Sequence, residues 1–183
     1  MAYYFLVSQL PYLTYGQQPP VTSGAFLELC GSSLSKDDAA LLPYCAFGIC
    51  DFEEIPRTKS VFINEWLQRE RTLALSLAWS RSAKQKRDAP LEVSHDPADA
   101  EVQAKAAFAM ENPLEAELFI DRGRWNAVES LVGTDYFGVN TIYAYLLKLR
   151  LMERWSSFKV EEGFAEYKAL YAGIIENAPK AGV

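Results

Sequence analysis

Apolar residues recur at helical spacing along most of the chain. From residue 58 to about residue 86, large apolar side chains follow the i, i+3, i+4 pattern of a helix with one buried face. From Val139 to about Ser156, apolar side chains occupy two opposite sides, which predicts a helix enclosed between other helices. The apolar positions of the helix predicted at residues 58–86 are Phe62, Ile63, Trp66, Leu67, Leu73, Ala74, Leu77 and Ala78.

Two Asx-Pro pairs mark further helix starts. Asp96–Pro97 and Asn112–Pro113 each place a capping side chain before a proline, whose missing N–H costs nothing at the first helical position. They predict an alanine-rich helix ending near residue 111 and a second helix from Pro113 to about Val132, where Gly133 ends it. Another cap, Ser157, predicts a final amphipathic helix.

The N-terminal region has a different pattern. Residues 3–7 are aromatic or aliphatic and end before Pro11, which predicts a short strand. Two short helices are expected after the proline-containing loop, one starting at Ser23 and one at Ser35.

These elements predict an all-α fold, or nearly so. We expect one single-domain bundle of five to six helices with a short N-terminal strand, because 183 residues suit one substantial core. Residues 1–57 would hold the strand, a loop and two short helices, and residues 58–178 the main helical bundle.

The charge balance limits the partners. A net charge of −6 and a pI near 4.9 produce a field that repels phosphate backbones and anionic lipids. The apolar N-terminus lacks a cationic leader and is too short to cross a bilayer. We therefore expect a cytoplasmic protein with no nucleic-acid partner and no direct membrane insertion.

Soft ligands are few and poorly spaced for a metal. The three cysteines, Cys30, Cys45 and Cys50, form no CxxC pair, so buried free thiols are expected. The single histidine, His95, lies in a polar run that predicts a solvated loop. Catalytic signatures such as GxGxxG, GxxxxGK[ST], HExxH and GxSxG are absent, so no catalytic residue, cofactor or metal site is predicted.

One carboxylate stands out, because Glu70 falls within the apolar stripe of the long helix. A buried, unpaired charge is costly, so Glu70 requires a basic partner from another helix or a place in an interface. We predict a basic partner from another helix, such as Arg122, Lys148 or Arg150; general acid–base work is a weaker alternative. Arg81 shares the stripe three turns on and cannot reach Glu70 directly.

The stretch NPLEAELFIDRGRW concentrates further charges. Glu115 is placed to return a hydrogen bond to the helix cap. Glu117, Asp121 and Arg124 predict a charge ladder along one exposed helix face, worth only tenths of a kcal/mol for each pair. Asp121 and Arg122 flank the apolar stripe, where an interhelical ion pair or an interface rim is expected. The full set of predicted interface or buried ion-pair residues is Glu70, Arg81, Asp121, Arg122, Lys148 and Arg150.

Three stretches resemble a small bacterial family of unknown function: YYFLVSQLPYLTYGQQPPVTSGAFLELC, ENPLEAELFIDRGRWNAVESLVG and FGVNTIYAYLLKLRLMERW. Members of that family are typically encoded among the subunits of bacterial, archaeal-like V-type ATPases. The resemblance implies a counterpart of the C-type connector of V-type ATPases (the d-type connector in eukaryotes), a helical funnel between the membrane rotor ring and the central stalk. This chain is considerably shorter than that three-lobed connector and has no threefold repeat.

The resemblance and the missing catalytic motifs together predict a non-catalytic accessory or connector subunit of a V-type ATPase. Its partners would be ATPase subunits of the central stalk or the membrane rotor ring, which would hold it peripherally at the inner face of the cell membrane. Two alternatives remain open: a free-standing assembly or interaction factor, and an enzyme that uses Glu70 or the Glu117/Asp121 pair.

Overall fold

The computed structural model describes residues 3–48, 56–88, 96–134, 136–158, 163 and 166–171, and these residues are mostly helical. The mostly helical fold is therefore confirmed. A 3₁₀ turn lies between the third and fourth α-helices, at Leu42–Tyr44, and residues 166–171 are also helical. The α-helices are α1 (Tyr4–Ser8), α2 (Ser23–Ser33), α3 (Lys36–Ala39), α4 (Val61–Gln85), α5 (Ala98–Phe108), α6 (Pro113–Val132) and α7 (Val139–Ser156).

The predicted N-terminal strand is wrong, because residues 4–8 form helix α1. Tyr3 and Leu6 are buried, and their spacing of three residues puts both on one helical face. The Tyr3 N–H donates to the Phe137 carbonyl at 2.7 Å and thus ties this helix to the loop before α7. Packing on the core outweighs the β propensity of the aromatic run. No strand occurs within the described ranges, although Gly138 makes an isolated β-bridge.

Helix α4 has caps at both ends. The Ser60 hydroxyl accepts a hydrogen bond from the Ile63 N–H at 3.3 Å, which satisfies one free donor of the first turn. At the other end, Lys86 takes a left-handed conformation with φ 53°. The helix therefore spans residues 61–85, close to the range that the apolar pattern predicts.

Helix α5 begins slightly later than its sequence predicts. Pro97 is the N-cap, not the first helical residue, and no side chain caps the first turn. The backbone carbonyl of Asp96 accepts hydrogen bonds from the Thr72 hydroxyl at 2.6 Å and the Gln68 amide at 3.0 Å. The start of α5 is thus fixed by side chains of α4 rather than by a local cap. Its buried face packs on α4 and α6 through Ala100, Ala104 and Ala107, beside Leu73 and Ile120.

Helix α6 has the start and end that its flanking residues predict. The Asn112 side chain accepts from the Leu114 N–H at 3.0 Å, Pro113 is the first helical residue, and the helix ends at Gly133 with φ 62°. Glu115 lies in the first turn, where its negative charge interacts favourably with the positive end of the helix dipole. All of these signals are local in sequence, which is why they could be interpreted without a structure.

Helix α7 is the centre of the larger core. It packs against α6 and α2, and nine of its residues are buried on both of its sides, as the pattern predicts. Two of its tyrosines reach across the fold: the Tyr143 hydroxyl donates to the Asp38 carbonyl at 2.9 Å and the Tyr145 hydroxyl to the Pro11 carbonyl at 3.0 Å. The N-terminal region is therefore held onto α7 by polar as well as apolar contacts.

Cys30 and Cys45 are buried free thiols in this core, as predicted. Burial raises the pKa of Cys30 to about 11. Burial also raises the pKa of Cys45 to about 12, although the nearby Arg150 opposes that shift. Among the described residues, no helix has both the length and the apolar character needed to span a membrane.

Candidate functional site

Charged side chains from three helices meet inside the fold. Arg124 of α6 binds Glu70 of α4 with two hydrogen bonds, Nε to Oε1 at 2.9 Å and Nη2 to Oε2 at 2.8 Å. Its Nη1 donates to Asp121 Oδ1 at 3.0 Å. Arg154 of α7 continues the chain of ion pairs, with Nε at 2.9 Å from Asp121 Oδ2 and Nη2 at 2.5 Å from Glu117 Oε2. We call these five residues the charge cluster.

The centre of the charge cluster is shielded from water. Asp121 is fully buried and Glu70 is 4% exposed. Burial by itself lowers the pKa of Arg124, but attraction and hydrogen bonds from Glu70 and Asp121 outweigh it, so the net shift is upward. The guanidinium also lies over the Phe47 ring, 5.2 Å from its centroid. Arg124 therefore stays charged between two carboxylates.

The predicted pairing of Glu70 with a basic residue of another helix is confirmed, but that residue is Arg124 and not Arg122, Lys148 or Arg150. The Asp121–Arg124 pair of the predicted ladder is present, and so is an interhelical pair of Asp121, with Arg154. The predicted exposure of the ladder is wrong, because Asp121 and Arg124 are buried and also bonded to other helices. On α6, Arg122 is two positions from Arg124 and so points to a different side of the helix.

The other predicted residues lie apart from the cluster. Arg122 is exposed, with its guanidinium 4.8 Å from the Tyr15 ring centroid. Lys148 pairs with Glu129 at 2.9 Å and lies over the Trp125 ring. The Arg150 guanidinium donates to the Cys45 carbonyl, and Arg81 is exposed near the end of α4. The predictions for His95 and Cys50 lie outside the described residues.

The geometry of the charge cluster suits a structural role, namely holding helices together. Each carboxylate is bonded to a guanidinium, and neither Glu70 nor Asp121 lines the concave surface described below. A carboxylate that serves as a general acid or base must reach a substrate. Breaking a buried pair is costly, because it leaves an uncompensated charge. The cluster thus fixes how α4, α6 and α7 pack.

A separate groove of about 1080 Å³ runs between α4, α5 and α6. Its walls include the apolar side chains of Val102 and Phe119, which are 66% and 39% exposed. Its lining also includes the small residues Ala106 and Ala127. The remaining lining residues are Asn64, Glu65, Gln68, Arg69, Asp96, Pro97, Asp99, Gln103, Arg122, Gly123, Asn126, Ser130 and Leu131.

One wall of the groove is organised by Gln103, which the sequence pattern did not single out. Its amide donates to the Phe119 and Ile120 carbonyls of α6 at 3.1 and 2.9 Å, while its oxygen accepts from Arg69 Nη2 at 2.7 Å. The amide lies so close to α6 that a Cβ on Gly123 would be 1.7 Å from Gln103 Nε2. A larger residue at position 123 would therefore force the Gln103 amide to move away from α6.

Arg69, also missed, was signalled by the same spacing that singled out Glu70. It lies three residues after Trp66 and four before Leu73, so it falls on the buried stripe of α4. Arg69 is 5% exposed, and its Nη2 also approaches Asp99 Oδ2 at 3.2 Å. The stripe thus carries two buried charges of opposite sign that bind different helices.

Large apolar side chains are exposed outside the groove as well. Helix α1 exposes Tyr4 and Phe5, and the loop before α7 exposes Tyr136 and Phe137. The Tyr4 and Phe137 rings pack together with centroids 4.8 Å apart. Exposed aromatic groups of this kind are frequent at protein–protein contacts. A second exposed apolar set lies on the helical residues 166–171 and comprises Tyr167, Leu170 and Tyr171.

The sequence profile of a family described as a protein of unknown function (DUF2764) matches residues 101–177. The matched range covers all of α6 and α7, most of α5, four residues of the charge cluster and one wall of the groove. It covers less than half of the 183-residue chain. No curated protein and no solved structure matches the chain.

Proposed function

We propose that the protein is a non-catalytic connector that works by protein–protein contact. The observation that carries this proposal is the open, largely apolar groove between α4, α5 and α6, which is long enough to receive a segment of another protein. The exposed aromatic side chains of α1 and the loop before α7 support it. Because Glu70 and Asp121 are held in ion pairs away from the groove, they suit packing better than catalysis.

The proposed partner is a V-type ATPase. This part of the proposal rests on the resemblance of the three sequence stretches to a family encoded among ATPase subunits. The helical fold is compatible with a connector that touches the central stalk or the membrane rotor ring. Such a protein would be cytoplasmic and peripheral at the membrane, and would contribute to ion transport by mechanical contact alone.

Affinity purification of the tagged full chain from its native cell tests this proposal. Under mild conditions we expect ATPase subunits to be recovered with the chain in a fixed stoichiometry. Recovery of the protein alone would contradict the proposal. If the protein is instead a free-standing assembly factor, it should be recovered in substoichiometric amounts with an otherwise complete ATPase.

A pair of substitutions, one inside the groove and one outside it as the matched control, tests the role of the groove. Val102→Glu places a charge on an exposed apolar wall and should not disturb the core, since Val102 is 66% exposed. We expect it to reduce ATPase recovery, whereas Tyr12→Glu, at a residue that is 91% exposed and outside the groove, should not.

A further inference from the structure

The groove contains a buried cation with incomplete bonding. Arg69 is 5% exposed, and within the described part of the chain its Nε and Nη1 atoms have no hydrogen-bond acceptor. Its Nη2 is bonded to Asp99 and Gln103. Leaving buried donors without acceptors costs free energy, so the Arg69 side chain, which lines the groove, has unmet hydrogen-bonding capacity.

The charge of Arg69 is also poorly compensated. Its acidic partner, Asp99, has a side chain that is 65% exposed, whereas the Arg69 side chain is 6% exposed. An ion pair that is open to water is weak because solvent screens it. This contrasts with Arg124, whose two acidic partners are both buried. A carboxylate brought into the groove would provide Arg69 with the buried partner that Arg124 already has.

The dimensions favour a protein segment over a small molecule. The volume of about 1080 Å³ lies at the upper limit of the range of roughly 300–1,000 Å³ typical of small-ligand pockets. Along α6 the wall runs from Phe119 to Leu131, which corresponds to roughly 18 Å of helix axis, or about three turns. An apolar lining of this kind is a feature of grooves that receive an amphipathic helix.

We propose that the groove binds an apolar helical segment of another protein, about three turns long, that presents one carboxylate to Arg69. A phosphate group fits less well, because Glu65, Asp96 and Asp99 also line the groove and would repel a dianion about twice as strongly as a single carboxylate charge. The proposal deepens the proposed function by naming the surface and the kind of segment it recognises. It rests on that function only for the identity of the partner as an ATPase subunit.

Photo-crosslinking in the native cell tests the proposal with the full chain. A benzophenone amino acid replaces Phe119 in the groove, and, as the control, Tyr12 outside it. The expected result is a crosslink from position 119, absent from position 12, to a peptide of another protein with apolar residues at helical spacing and one Asp or Glu. A crosslink only to the chain itself or to a second copy would overturn the proposal, as would no crosslink above the control.

The captured peptide is then synthesised and its affinity for the full chain is measured by fluorescence anisotropy. Replacing its carboxylate by an amide should weaken binding about tenfold, since charge-assisted hydrogen bonds to a buried group are strong. Asp99→Asn should strengthen binding severalfold, because it removes the carboxylate that competes for Arg69. An unchanged or weaker affinity in Asp99→Asn would contradict the proposal.

The two proposals fail separately. If the crosslinked peptide meets these criteria but no ATPase subunit is recovered with the chain, the proposed function is wrong and the groove proposal stands. If ATPase subunits are recovered with the chain but position 119 captures none of them, the groove proposal is wrong and the proposed function stands.

Discussion

Arg124 shows how much a single side chain can determine in this fold. Its guanidinium donates three hydrogen bonds, two to Glu70 and one to Asp121, and so joins α4 to α6. Asp121 extends the connection to α7 through Arg154. Because the central members are buried, each depends on the others for the interactions that replace water.

Neutralising Glu70 should therefore destabilise the protein strongly. Glu70→Gln keeps the shape of the side chain but leaves the Arg124 charge with only Asp121. We expect the free energy of unfolding to fall by about 3 kcal/mol, as is typical when one partner of a buried ion pair is lost. Urea denaturation followed by circular dichroism measures this change.

Glu117→Gln is the matched control within the same cluster. The Glu117 and Arg154 side chains are 41% and 35% exposed, so solvent screens their interaction. The expected loss is below about 1 kcal/mol. Equal effects of the two substitutions would show that burial does not set the strength of these pairs.

At the scale of helices, the close crossing of α5 and α6 depends on one glycine. Gly123 lets the Gln103 amide approach the α6 carbonyls, and any Cβ there would overlap that amide. The Gln103 side chain cannot move away freely, since it is bonded to α6 at one end and to Arg69 at the other.

Gly123→Ala should accordingly destabilise the fold, although alanine is the better helix former. We expect a loss of about 1–3 kcal/mol from overpacking. Gly31→Ala in α2 is the matched control, because nothing lies within 4 Å of its added Cβ. That substitution should stabilise the protein by roughly 0.5–1 kcal/mol. If both variants have thermal midpoints above that of the parent, the close contact at Gly123 is not a constraint.

The same scale shows which features the sequence could predict. The ends of α6 follow from Asn112, Pro113 and Gly133, whose effects act within one helical turn. The partner of Glu70 could not be predicted, because it depends on the rotation of α6 against α4, which helical periodicity in one segment does not contain. The error at residues 3–7 has the same cause: contacts with distant residues such as Phe137 outweigh local propensity.

At the scale of the whole molecule, the core around α7 holds several weak acids in the protonated form. Burial raises the pKa of Cys30 to about 11, and those of Cys45 and Tyr145 to about 12. In the unfolded chain, thiols and phenols ionise near 9.0 and 10.0. Above pH 9 the unfolded state therefore binds fewer protons than the folded state, and stability must fall as pH rises.

We predict that these groups leave the free energy of unfolding constant below pH 9 and lower it between pH 9 and about pH 12. Each group adds a slope of up to about 1.4 kcal/mol per pH unit. Urea titrations at a series of alkaline pH values measure the slope. Cys30→Ala should make the decline shallower; an identical slope in that variant would exclude a contribution from the Cys30 thiol.

The charge cluster also has a consequence for how this sequence can change over evolutionary time. Replacing Glu70, Asp121 or Arg124 alone removes an ionic partner from a buried charge. Exchanging the interacting residues together for apolar side chains of similar volume can be neutral or even favourable. Substitutions at these positions of α4, α6 and α7 should therefore occur together. Related chains are expected to keep the whole set or to lose it together.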